Sequence, residues 1–67
     1  MKFEVTVNGN EPTIYENNAD VALVFNKSWP AKTLGDWQRE LIECHQRGWT
    51  LVNTGTDGNR TQAKPIR

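Results

Sequence analysis

Sixty-seven residues are expected to form one domain with one core, in the size range where folding buries about 60% of the unfolded surface. Eight basic and eight acidic residues cancel to a formal charge of 0, so net charge confers neither a general nucleic-acid affinity nor an attraction to a membrane surface. A single cysteine excludes an intramolecular disulfide, so the chain is not a stapled secreted scaffold and fits a reducing cytosol.

The N-terminus enters strand pattern at once. Phe3, Val5 and Val7 alternate with Lys2, Glu4, Thr6 and Asn8, which predicts a strand over 2–8 with one wet face. No apolar stretch there has the length of a signal peptide or a membrane span, so the expectation is a complete cytoplasmic product without membrane contact. Asn8 and Gly9 form a strong turn dipeptide, and residues 13–16 are read as a returning hairpin strand. After a second turn cluster at 17–20, Val21, Ala22, Leu23, Val24 and Phe25 make a nearly unbroken apolar run. Such a run suits a third strand buried on both faces, although a short helix begun by Asp20 fits as well. Pro30 keeps Trp29 extended in the connection that follows.

Residues 34–47 carry the clearest periodicity. At about 100° per residue, Leu34, Trp37, Leu41, Cys44 and His45 share one side of a helix, and Asp36, Arg39, Glu40, Glu43, Gln46 and Arg47 share the other. Thr33 is placed to cap the start with Asp36 three residues on, and Gly48 can end the helix in the left-handed conformation. Glu43 and Arg47 are spaced as a favourable i,i+4 pair. Residues 49–54 then alternate as a strand, residues 55–58 turn, and residues 59–64 form a last strand that Pro65 marks as an edge.

The predicted fold is α+β, a small antiparallel sheet of four to five strands with one helix on one face, in the order β-β-β-α-β-β. Phe3, Val5, Leu23, Phe25, Leu34, Trp37, Leu41, Trp49 and Leu51 form its expected core. Glu40 and Leu41, followed by Gly48, Trp49, Thr50, Leu51 and Val52, resemble the signature E-L-x-x-x-G-W-E-L-V of a family of short bacterial and phage domains of unknown function. Here the spacing is longer and threonine replaces the usual glutamate. The resemblance covers residues 34–60; it implies the helix-strand junction and no catalytic residues.

No stretch carries a catalytic, cofactor or metal motif. Cys44 and His45 are neighbours pointing about 100° apart, without a second histidine or cysteine to complete a metal shell or a base pair. The expectation is therefore a non-catalytic binding module, without cofactor, that occupies a surface of another protein. Its size and style resemble phage and mobile-element accessory proteins such as anti-CRISPR inhibitors of host defence complexes. With one helix, one sheet face is left open; alternation places Ala22, Val24 and Val52 on it, and the same face could join copies of the chain. Ile42 lies off the main helical stripe, and Trp29 is either a core lid or an interface anchor. Residues 58–67 hold Arg60, Lys64 and Arg67 without an acid, so the alternative is a nucleic-acid module using Arg60 and Lys64. The expected partner-binding residues are Val24, Trp29, Ile42, Val52, Arg60 and Lys64.

Overall fold

The structure, a computed structural model, describes residues 1–56 and 58–67. Strand β1 (Lys2–Val7) follows its alternation, with Phe3 and Val5 buried. Asn8 and Gly9 both take positive φ, 54° and 73°, as a tight primed hairpin turn requires. The Asn10 N–H closes that turn onto the Val7 carbonyl at 3.0 Å. Strand β2 (Thr13–Tyr15) returns antiparallel, with Tyr15 opposite Phe3 and Ile14 opposite Glu4.

Residues 21–25 are not a strand. They lie in helix α1 (Asn18–Ser28), whose first turn is capped by the Asn17 side chain accepting from the Asp20 N–H at 3.0 Å. An unbroken apolar run has no period of its own, so its flanks decide between strand and helix. Here an asparagine cap, Asp20 in the first turn and Lys27 in the last all favour the helix through its orphan N–H groups and dipole. Once helical, the run divides: Val21, Ala22 and Phe25 face the core, whereas Leu23 is turned outward and 54% exposed.

Helix α2 (Leu34–Arg47) begins and ends where the sequence places its caps. Thr33 Oγ1 accepts from the Asp36 N–H at 3.1 Å, and Gly48 is left-handed at φ 79° with its N–H donating to the Cys44 carbonyl at 2.8 Å. The C-terminal residue completes this end. Arg67 Nη2 donates to the His45 and Gln46 carbonyls at 2.6 and 3.0 Å, so a cation sits on the negative end of the helix dipole. A Cβ on residue 48 would lie 3.2 Å from Arg67 Nη2, a second reason for glycine there. Glu43 and Arg47 do not form an ion pair; the Arg47 guanidinium lies over the Trp49 ring, 5.2 Å from its centroid.

Strands β3 (Leu51–Thr54) and β4 (Arg60–Ile66) complete a four-stranded antiparallel sheet in the order β2-β1-β4-β3. Of the expected turn at 55–58, Asp57 lies outside the described residues. The last strand is central rather than an edge, because β4 pairs with both β1 and β3. Pro65 is compatible with this position. The Asn8 N–H bonds the Arg60 carbonyl and the Gly55 N–H bonds the Asn59 carbonyl, so odd residues of β4 turn their backbone groups toward β3. Pro65 is odd and lies beyond the last β3–β4 pair, Leu51 with Ala63, where no N–H is required.

Both helices pack on the same face. Phe3, Val5 and Ala63 of the sheet meet Val21, Ala22 and Phe25 of α1 and Trp37 and Leu41 of α2, with Val7, Tyr15, Val24, Trp29 and Leu51 at the margin. The α+β class and the small antiparallel sheet are as expected, but the order is β-β-α-α-β-β, with two helices and four strands. Three expected core residues are outside the core besides the partly covered Leu51. Leu23 is on the far side of α1, Leu34 is in the first turn of α2 at 39% exposure, and Trp49 is 49% exposed. The left-handed turn at Gly48 carries Trp49 off the core and over Cys44, and its Nε1 donates to Sγ at 2.8 Å.

Candidate binding surface

Because α1 and α2 cover one face, the other face of the sheet has no layer on it. Strand registers order its side chains. Ile14, Glu4 and Lys64 form one row across β2, β1 and β4; Thr6, Gln62 and Val52 form the next across β1, β4 and β3; Arg60 with Thr54 and Lys2 with Ile66 stand at the two ends. Lys2, Arg60 and Lys64 stand against Glu4 and Glu16, the latter 4.0 Å from the Lys2 ammonium, so cations exceed acids on this face by one in a chain of formal charge 0. Glu4 directly opposes Lys64, a cross-strand pair worth about 0.2 to 1 kcal/mol. Ile14, 53% exposed, and Val52, 37% exposed, supply apolar contact toward the two sheet edges.

Val52, Arg60 and Lys64 are thus brought together on the uncovered face, and the other three expected residues are elsewhere. Val24 is not on a sheet face at all; it lies on α1, half-buried against the core. Ala22, assigned to the same open face, is on α1 and fully buried on its core side. Ile42 is half-buried on α2. Trp29 caps α1 and closes the core. Its ring centroid is 5.6 Å from Phe25 and 5.5 Å from Trp37, and its Nε1 donates to the Thr54 carbonyl at 3.3 Å. The hairpin strand with Ile14 does not fold across the open face but extends the sheet sideways. Lys2, Glu4, Thr6 and Gln62 share this face without being among the expected contact residues. The wet side of the β1 alternation is the signal that identifies the first three, once both neighbours of β1 are known.

Cys44 and His45 do not form a reactive pair. The Cys44 thiol is buried, and its pKa is raised from an ordinary 9.0, chiefly by desolvation; the Trp49 hydrogen bond opposes this, while Glu40 and Glu43 add to it. The His45 ring makes an edge contact with Phe3 at 5.7 Å. Among the described residues no group of three or more His, Cys, Asp and Glu side chains is placed to hold a metal. The thiolate is the attacking form, so native-state labelling of Cys44 by a thiol reagent at neutral pH is expected to be far slower than labelling of the denatured chain. Equal rates would contradict the burial. A raised native pKa means that the native thiol keeps its proton after the unfolded thiol has lost it. Cys44 therefore leaves stability unaffected below pH 9.0 and lowers it as pH rises beyond that value; in a Cys44→Ala variant this alkaline loss should be smaller.

A shallow cleft of about 410 Å³ opens beside β3, between the α1–α2 connection and the strand. Trp29, Pro30, Ala31, Trp37, Asn53 and Thr56 are on its walls. Lys32 at its rim is engaged, with its ammonium paired to Glu40 and lying 4.4 Å from the Trp37 ring centroid. No helix is long and apolar enough to cross a membrane among the described residues. No protein family, curated protein or solved structure matches the chain.

Proposed function

We propose that the chain is a non-catalytic binding module that lays the uncovered face of its sheet on another protein. The observation that carries the reading is the packing of both helices on one face, which leaves Val52, Arg60 and Lys64 together on the other. With charged and hydrogen-bonding side chains in the middle and isolated apolar ones toward the edges, this face would recognise its partner by charge and hydrogen bonding rather than through an apolar centre. The excess of cations favours a partner with an acidic surface, through complementarity that steers association as well as fixing register. In its most specific form the proposal makes the chain a phage or mobile-element accessory inhibitor of a host defence complex. Small size and the likeness of the helix-glycine-tryptophan-strand junction to bacterial and phage domains support that form.

The presence of Lys2, Arg60 and Lys64 on one face, spread along its length, supports a second reading, binding to a phosphate backbone. No aromatic side chain stands among them for base stacking, so the protein reading is preferred. Co-purification from host lysate separates the two. Wild type should capture a protein that both Val52→Lys and the double variant Arg60→Glu, Lys64→Glu fail to capture, while all three chains melt within a few degrees of one another. Retention on heparin at physiological salt, lost in the double variant, with no captured protein, would instead establish the nucleic-acid reading.

A further inference from the structure

The free edge of β3 is a second feature, separate from the open face. The bonded pair of Gly55 and Asn59 sets the phase of the β3–β4 ladder, so Leu51 and Asn53 turn their backbone groups to β4, and Val52 and Thr54 turn theirs outward. The Thr54 carbonyl accepts from Trp29 Nε1, which fixes Trp29 on the outer side of β3. No described residue hydrogen-bonds to the outward N–H or C=O of Val52. The cleft walled by Trp29, Pro30, Ala31 and Trp37 therefore lies along this free edge, and the Asn53 side chain, on the helix side of the strand, reaches it.

We propose that the β3 edge and this cleft together take up an extended polypeptide segment of another protein as an added strand. Only a polypeptide backbone presents N–H and C=O groups alternating at strand spacing to match the outward groups of Val52. In that pairing the incoming residue opposite Asn53 shares its face and enters the cleft. The two indoles, Pro30 and Ala31 select a large apolar side chain for that place. The β3 edge of a second copy offers no free residue of this kind. The helix-side positions of that strand are Leu51 and Asn53, both half-buried in their own fold, and two four-residue edges bury far less than the roughly 1,200 Å² of a stable interface.

The test is selection of a random-peptide phage library on the folded protein, followed by titration of the enriched synthetic peptides. The enriched peptides should share an alternating strand pattern with one large apolar residue, and should slow amide exchange at Val52. Val52→Pro removes only an outward N–H, which an edge strand tolerates. Ala31→Trp fills the cleft from an exposed position. Each is expected to weaken peptide binding by about tenfold or more, with Arg60→Glu and Lys64→Glu leaving it unchanged. If Val52→Pro does not fold, Ala31→Trp and the exchange of the Val52 amide decide. Failure to enrich any peptide, binding indifferent to Ala31→Trp, or Val52 protection that rises with protein concentration alone would overturn the proposal.

Discussion

Trp37→Ala is expected to lower stability by about 3 to 5 kcal/mol, which for a domain of this length is comparable with the whole folding free energy of roughly 3 to 10 kcal/mol. Trp37 is 1% exposed and ties the two helices together. Its ring centroid is 5.0 Å from that of Phe25 on α1 and 5.5 Å from that of Trp29 at the end of α1, and the Lys32 ammonium lies over it. Removing it leaves a cavity where α1, α2 and their connection meet, and the surrounding rings can close over it only in part. Trp37→Phe should behave very differently. The indole Nε1 is buried without an acceptor among the described residues, and an orphaned buried donor costs about 1 to 3 kcal/mol. Phenylalanine removes that donor while retaining most of the ring, so a melting temperature close to wild type is expected from thermal denaturation. A Phe variant as unstable as the Ala variant would mean that the Nε1 hydrogen bond is made after all.

Leu41→Ala should cost about 2 to 5 kcal/mol, and Leu34→Ala less than about 0.5 kcal/mol, although both residues lie on the same helical stripe. Leu41 is fully buried over the sheet, and Leu34 is exposed in the first turn. At about 4 to 8 °C per kcal/mol for a chain of this size, the two variants are separated by a single thermal melt of each. Comparable losses from both would contradict the placement of the first turn of α2 outside the core.

The pair also marks what the sequence made legible. Helix α2 could be read almost to the residue, because its caps, dipole charges and period agree; Thr33 and Gly48 do what their chemistry suggests. The apolar run at 21–25 could not be assigned by period, and Asn17, the residue that settles it, looks like any turn asparagine until the helix it caps is known. That one element changed the candidate surface. As a strand it would have put Val24 on the open face with Val52; as a helix it buries Ala22, half-buries Val24, and joins α2 on the same side. The position of β4 was hidden for a different reason. Pro65 signals an edge locally, but only the long-range register shows that β3 ends before reaching it. Three of the six expected contact residues stand together because strand alternation survives any ordering of the strands.

The central claim is that the uncovered face of the sheet is the working surface, and hydrogen exchange on the complex with the captured partner tests it most directly. Side-chain occlusion of that face should slow exchange along β1 and β4, and protect Lys2 and Lys64 from amine-modifying reagents, with Lys27 on α1 still modified at the free-protein rate. Unchanged modification of Lys2 and Lys64, with new protection confined to α1 and α2, would contradict the account and move the interface to the helical side.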